Sequence, residues 1–513
     1  MRRNLRNSMT LLVLATATAT AAAATCPLLA SSGCGSESSY DFPAPPSACE
    51  APEPRPAFGT GVTVGSGTPE SCTEEALATA LDEGGNVGFD CGTGDATIVV
   101  TQELAASTDA ILDGDGRITL DGGGATRILH TEARVYLTVR GITFVRGNAT
   151  TSPEAASGGA IRVGWLGLLG VFDCAFYDNL AADDGIEGGG AIYQSNGGEL
   201  VVVRSTFERN AAISGGAIDN LLSPMTIVDS TFRDNESTAG GGAVYDDGAS
   251  AYIDDGVSGT ISICGSHFEN NRSIGTGGAV YLWAYAPDEL VINRCSFVGN
   301  TAVRPADGDG SALGGALRTG NAPLLLANSL FAENHADVHG GAYWTRGNYP
   351  TKIINCTFYR NNAGVPGEEG GYGGALSGFN LEMRNLTFVE NHAEFTGGAV
   401  SNEENRHTLN NSIFLHNTSS NQWGLSQTCT GTMPGANNIQ WPAPGSDGDP
   451  PCSADVLLAD PLLGELSDNG GGTDTIPLLP GSPALDGASD CLDTDQRAEP
   501  RQGTCDIGAY EAQ

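Results

Sequence analysis

The chain repeats Gly-Gly-Ala nine times, with the alanine at 160, 191, 217, 243, 279, 316, 342, 375 and 399. A second signature, Phe-x-x-Asn, keeps pace with it, its Phe at 176, 207, 232, 268, 297, 331, 358, 388 and 414. A period of roughly 20–50 residues means a stacked array rather than a globular domain, because each unit must bury its apolar face on its neighbours. Each unit also holds brief β-branched runs, such as residues 200–203 and 251–253, separated by turns and lacking a helical period. Gly at 72 residues and charged residues at only 17% suit many short strands joined by tight turns. The 513 residues therefore read as one long solenoid of parallel strands.

Stacked coils bring equivalent residues within one strand spacing, about 4.8 Å. Glycine and alanine tolerate that approach at a sharp corner. Asn accepts left-handed backbone geometry, and its amide can bond along the stack; the Phe supplies buried mass. Two residues before each repeat Phe stand Cys174, Ser205, Ser230, Ser266, Cys295, Ser329, Cys356, Leu386 and Ser412. No two of these cysteines occupy neighbouring coils, so they are expected to be buried free thiols.

Outside the repeats the chain divides by composition. Arg2, Arg3 and Arg6 precede an apolar stretch from Met9 to Ala24, which reads as an export signal over residues 1–33. Nothing later is apolar enough to form a transmembrane segment. Cys34, after Leu29-Ala30-Ser31-Ser32-Gly33, resembles a lipoprotein cleavage box and is the candidate for a lipid anchor. Residues 34–56 are rich in Pro and Ser and read as a linker. Residues 57–100 form an N-terminal cap whose amphipathic helix starts near Thr73, stops at Gly84-Gly85 and lids the first coil. The repeats occupy 101–420 and a C-terminal cap 421–513. Thirteen cysteines point to an oxidising compartment. Cys72 with Cys91, Cys429 with Cys452, and Cys491 with Cys505 are close in sequence and are expected to staple the caps. Cys49 and Cys264 have no evident partner.

The repeats resemble those of pectate-lyase-like right-handed β-helices, and among them polymorphic outer membrane protein sequences. Residues 459–513 resemble a choice-of-anchor Q domain through Asp460-Pro461-Leu462-Leu463-Gly464, Pro480-Gly481-Ser482-Pro483-Ala484-Leu485-Asp486, Asp495-Gln496-Arg497 and Cys505-Asp506-Ile507-Gly508-Ala509-Tyr510-Glu511. Ala498 stands where that family usually has Gly. The resemblance implies an all-β, single-stranded right-handed parallel β-helix with a short N-terminal capping helix and a disulfide-stapled C-terminal cap. It also implies an exported protein, secreted or held at the cell outer membrane.

The formal charge of −37 disfavours nucleic acid and anionic lipid as partners. If the residue after each Gly-Gly-Ala points inward, alternation turns the next one outward. That outward column is Arg162, Tyr193, Asp219, Tyr245, Tyr281, Arg318, Trp344, Ser377 and Ser401. Arg162, Tyr193, Tyr245, Tyr281, Arg318 and Trp344 are the candidate ligand face, suited to an extracellular glycan or a protein partner. Aromatics on a sheet also stabilise it by cross-strand packing. A polysaccharide lyase or glycoside hydrolase would instead need acids and an Arg gathered in one groove; the column shows aromatics and lone charges, so no catalytic residue is assigned. Asp113-Gly114-Asp115-Gly116 begins like a Ca²⁺ loop without its later ligands, so Asp113 and Asp115 are weak metal candidates and no cofactor is expected. His335 and His339 have helical metal-site spacing but lie in a Gly-rich turn. The expected function is a structural or adhesin-like surface β-helix, with the enzyme as alternative.

Overall fold

A computed structural model describes residues 40, 42–46, 48–150, 152, 155–182, 187–250, 258–306, 311–402, 406–445 and 449–513. Residues 1–33, read as an export signal, together with Cys34 and the run at 251–253, lie outside the described residues. The chain divides into two units, Met1–Asp41 and Phe42–Gln513, and the described strands and helices belong to the second.

That unit is an all-β, right-handed parallel β-solenoid. In a typical coil the strands Leu324–Ala327, Leu330–Ala332, His335–Ala336 and Tyr343–Arg346 pair in parallel with Thr351–Ile354, Thr357–Tyr359, Asn362–Ala363 and Leu376–Gly378 of the next coil. Repeating this pairing builds sheets of 25, 8 and 11 strands among the described residues. Pairing begins at Gly61–Gly65 and persists to Leu457–Leu458, beyond the 101–420 span marked by the repeats. The end coils lack both signatures, so only their strand pairing reveals them.

Side-chain stacking follows from the in-register backbone. Ten Phe rings, Phe144 to Phe414, stack with centroids 4.6–5.1 Å apart and planes within 11° of parallel. The asparagines form a second ladder. Asn300 Nδ2 donates to Asn334 Oδ1 at 3.0 Å and to the Phe268 carbonyl at 2.9 Å. Its own Oδ1 accepts from both Asn271 Nδ2 and the Asn271 backbone N–H, each at 3.0 Å. Every polar atom of the buried amide is thus used, which removes the penalty of burying it. The left-handed residue is not the asparagine, as expected, but the one before it. Asp178, Arg209, Asp234, Asn270, Gly299, Glu333, Arg360, Glu390 and His416 carry φ of 52–66°. That turn points the following Asn into the ladder.

The two glycines of each corner have separate reasons. The first is left-handed, as at Gly314 (φ 68°). The second has the next coil against it: a Cβ on Gly315 would lie 2.0 Å from the Gly341 carbonyl oxygen. Cys174, Cys295 and Cys356 are buried and free. Burial pushes their thiols up to about 12, and each thiol donates to the carbonyl two residues earlier.

The helix Glu74–Glu83 is capped by Thr73, buries Leu77, Ala80 and Leu81, and ends at the left-handed Gly84. It packs against Gly61–Gly65 and against Leu104–Ala106, the terminal strand of the 11-stranded sheet. It therefore covers an open edge, as expected. The three expected cysteine pairs lie at disulfide distance, joined by a fourth, Cys49–Cys264, 215 residues apart in sequence. The fourth ties down the described part of the Pro- and Ser-rich stretch at Cys49. Cys49 and Ala51 pack on Phe172, Val203 and Val228, Phe42 packs with Leu325 and Ile354, and Asn293 Nδ2 donates to the Pro46 carbonyl at 2.9 Å. Phe42, Cys49 and Ala51 thus cover apolar side chains on the outside of the large sheet.

The tail docks through its motif residues. Gln496 Oε1 accepts from Thr357 Oγ1 at 2.6 Å, and Ala509 N donates to Thr387 Oγ1 at 3.0 Å. Arg501 and Glu511, 3.0 Å apart with each side chain 2% exposed, form a buried pair beneath it. Asp495 pairs with Arg497 and Asp490 with Arg384, so these acids help hold the cap.

Replacing Asn300 by Ala leaves the Phe268 carbonyl, the Asn271 amide N–H and Asn271 Nδ2 each without a bond they now make. Each buried orphan costs about 1–3 kcal/mol. Urea unfolding should show a loss of about 3 kcal/mol or more for N300A, and an unchanged midpoint would show that the ladder does not hold the coils.

Candidate functional site

The Gly-Gly corner brings two columns of side chains together. One is the outward column on the 11-stranded sheet, and the register runs Arg162, Tyr193, Asp219, Tyr245, Tyr281, Arg318, Trp344, Ser377, Ser401 without a slip. The other is the residue just before each Gly-Gly. Gly240 pairs with Thr276, and Leu313, His339, Tyr372 and Thr396 pair in sequence. Contacts between residues five apart tie the columns across the corner: Ser214 Oγ donates to Asp219 Oδ2 at 2.7 Å, and Arg162 Nε donates to Ser157 Oγ at 3.3 Å.

The outward column is therefore the floor of a groove and not an open face. Tyr193 is 2% exposed, Asp219 3% and Trp344 6%, because the second column forms a wall beside them. Two cavities open along it. One, of about 640 Å³, is lined by Tyr193, Asp219, Tyr245, Asp247, Tyr281 and Arg318 among others. The second, of about 1300 Å³, includes Arg304, His339, Trp344, Tyr372, Phe395 and Asn421. Ser311 lines both, so they adjoin.

Aromatic rings run through both cavities. Tyr245 and Tyr281 stack at 4.7 Å. The Arg318 guanidinium lies 4.4 Å from the Tyr281 ring centroid, 5.4 Å from Trp283 and 5.3 Å from Trp344. Such contacts fix a cation by the ring quadrupoles. Its Nε is buried without a hydrogen-bond partner. Farther along, Tyr372 meets His339 edge-on at 4.8 Å and Phe395 at 5.0 Å.

The acids of the groove sit in contrasting surroundings. Burial pushes Asp219 up to about 7, against hydrogen bonds from Ser214 Oγ and the Gly188 N–H. Asp247 accepts from the Tyr285 hydroxyl at 2.7 Å, and Glu187 faces Arg162 at 3.6 Å. Glu187, Asp219, Asp247 and Arg318 line one cavity. The expectation of lone charges spread along the column is thus corrected. Coil-to-coil stacking gathers residues that are far apart in sequence. Arg304 pairs with Glu368 at the rim of the larger cavity.

Of the six candidates for a ligand face, Tyr193, Tyr245, Tyr281 and Arg318 line the smaller cavity and Trp344 the larger, Arg162 lines neither, and the wall was not among them. The signal for His339 and Tyr372 was present, since each precedes a Gly-Gly; Asp247, Glu187 and Phe395 carried no such mark. His335 and His339 do not converge: His335 bonds Asn362 and Asp337 in the small sheet, while His339 lines the groove. Asp113 and Asp115 lie in an irregular part of the strand Ala110–Asp121. There Asp115 N–H donates to Asp113 Oδ1 at 3.1 Å, and Arg117 and Arg140 approach the two carboxylates. Among the described residues no three or more His, Cys, Asp or Glu side chains are grouped to hold a metal.

No protein-family model and no curated protein matches the chain. Among solved structures it is similar to one described as "a new PL6 alginate lyase complex with trisaccharide", at 10% identity and a TM-score of 0.39, over 82% of this chain and 91% of that one.

Burial drives His339 down to about 4, so its imidazole is neutral throughout the range where a free histidine titrates. In NMR of ¹³C-labelled histidine, its ring signals should stay constant from pH 8 to about 5 and move only below. A midpoint near 6.5 would mean that the ring is solvated and free of the wall.

Proposed function

We propose that the groove binds an extended carbohydrate chain and that the protein is an exported, surface-associated β-helix that works by binding. The line of Tyr193, Tyr245, Tyr281, Trp344, Tyr372 and Phe395 through two adjoining cavities carries this reading. Sugar rings present flat C–H faces that pack on aromatics, and their hydroxyls need polar partners between. Asp219, Asp247, Arg318, His339 and Asn421 are such partners. Parallel coils repeat the platform along one axis, which suits a linear polymer better than a compact ligand.

Export is supported by the basic and apolar start of the chain and by the need of four disulfides for an oxidising compartment. A lipid on Cys34 would keep the solenoid at the envelope. Metabolic labelling with an acyl precursor should mark the wild-type chain and not C34A; unlabelled chain recovered in the medium would favour release.

A second reading, a polysaccharide lyase or hydrolase, is favoured by the shared cavity of Glu187, Asp219, Asp247 and Arg318. One experiment separates the two. A glycan panel is measured for binding by calorimetry and for new reducing ends or unsaturated products, with and without Ca²⁺. The expected result is binding without turnover, weakened about tenfold or more by Y281A and by W344A, a loss of about 1.4 kcal/mol each. Turnover abolished by D219N establishes the enzyme instead. Unchanged binding in both aromatic variants removes the groove from either role.

A further inference from the structure

The floor column changes character after Trp344. Its next members, Ser377 and Ser401, are 0% and 2% exposed, so past Trp344 the floor is closed and offers no ring. The aromatics continue on the wall instead. His339 meets Tyr372 at 4.8 Å, Tyr372 meets Phe395 at 5.0 Å, and Phe395 meets Trp423 edge-on at 5.5 Å. The first three line the larger cavity together with Trp344. Its lining runs on through Ser420, Asn421 and Gln422, and Trp423 follows them at the mouth. Trp423 is 62% exposed, more than any other large apolar side chain among the described residues. One edge of the indole suffices to cover Phe395, and most of its apolar surface is left in water, which core packing does not require. The turn that carries it is nonetheless fixed. Asn421 Oδ1 accepts from the Trp423 and Leu425 N–H groups at 3.1 and 3.0 Å. Asn421 Nδ2 donates to the Leu425 and Phe395 carbonyls at 2.8 and 3.1 Å. One side chain thus ties the loop to itself and to the preceding coil, and the ring is held out ready for contact, which lowers the ordering cost of binding.

We propose that Trp423 is the outermost sugar platform of the groove: an extended glycan crosses from the floor at Trp344 to the wall at Tyr372 and leaves the protein over Trp423. The proposal rests on the reading of the groove as a glycan site and adds a residue and a path to it. Ser420 and Gln422, beside the ring, are uncharged and suit the hydroxyls of a neutral chain. Coils recur at about 4.8 Å, close to the advance of one sugar ring in an extended chain. Trp423 precedes Cys429, whose coil pairs with Val400, so it lies three coils past Trp344. A chain too short to span those coils gains nothing from Trp423, whereas a long chain gains one more platform. Trp423 therefore acts on chain length and not on the central contacts.

The test is calorimetry of the full chain with neutral linear oligosaccharides derived from cellulose, chitin, mannan and xylan, each as short chains of two or three rings and long chains of six to eight. For a series that binds, wild-type affinity should rise about tenfold from short to long chains. W423A should bind the short chains as the wild type does and lose that rise, and W423F, which keeps a platform, should recover most of it. W344A should weaken every length. Long chains should also shield one tryptophan from acrylamide quenching in the wild type and none at that position in W423A. A W423A variant that keeps the rise, while W344A weakens every length, overturns this proposal and leaves the groove reading in place. Equal weakening of short and long chains by W423A shows that the indole only braces Phe395, and overturns it as well. Absence of binding to every series, or binding unchanged in both W344A and W423A, overturns the proposal together with the groove reading.

Discussion

In-register stacking of the coils is the constraint on which the rest of the structure depends. Once each backbone lies one strand spacing above the last, every side chain meets its own equivalent, and the sequence must supply residues that tolerate self-contact. Phe meets that demand by stacking its rings. Asn meets it by being donor and acceptor at once, so that each amide completes the next. A register slip of one coil would break both ladders together. The alternatives open to a glycine-rich chain are therefore costly, although no single bond in the ladder is strong.

The same constraint creates the groove. A Cβ at the second corner glycine would strike the next coil, so the corner must be tight. A tight corner sets the pre-glycine column beside the outward column, as the Ser214–Asp219 bond records. Floor and wall are thus consequences of the fold rather than additions to it, and their chemistry is open to variation because neither column carries the stack. The inward residue right after each Gly-Gly-Ala is aliphatic in every coil except at Tyr343, whereas the outward positions range over Arg, Tyr, Asp, Trp and Ser. Function is expected where uniformity stops.

That division explains what was legible in the sequence. Period, strand character, corner, core thiols and the register of the outward column follow from local pattern, because self-contact imprints the same residue types on every coil. Contacts across the stack are not periodic and left no mark. Cys49 finds Cys264 across 215 residues through a segment whose Pro-rich composition reads as a tether. Its role is visible only with Phe172, Val203 and Val228 beneath it. Glu187, Asp219 and Asp247 looked scattered because sequence distance replaces a few strand spacings in the folded chain. The left-handed position was misplaced by one residue for a related reason: Asn is the usual left-handed residue in turns, but here its amide is committed to the ladder and the residue before it makes the turn.

The electrostatics of the groove bear on the kind of chain it can take. A formal charge of −37 surrounds it, and Glu187, Asp219, Asp247, Glu368 and Glu394 line it against Arg304 and Arg318. Arg304 is already committed to Glu368, while Arg318 is sandwiched among rings. A polyanion threaded through the groove would meet one available guanidinium for several acids, and at close range that imbalance opposes binding by more than salt can screen. A neutral chain meets no such opposition and gains from every aromatic platform. On the proposed reading, selection of a neutral chain comes from repulsion by these acids together with adhesion to the aromatic floor.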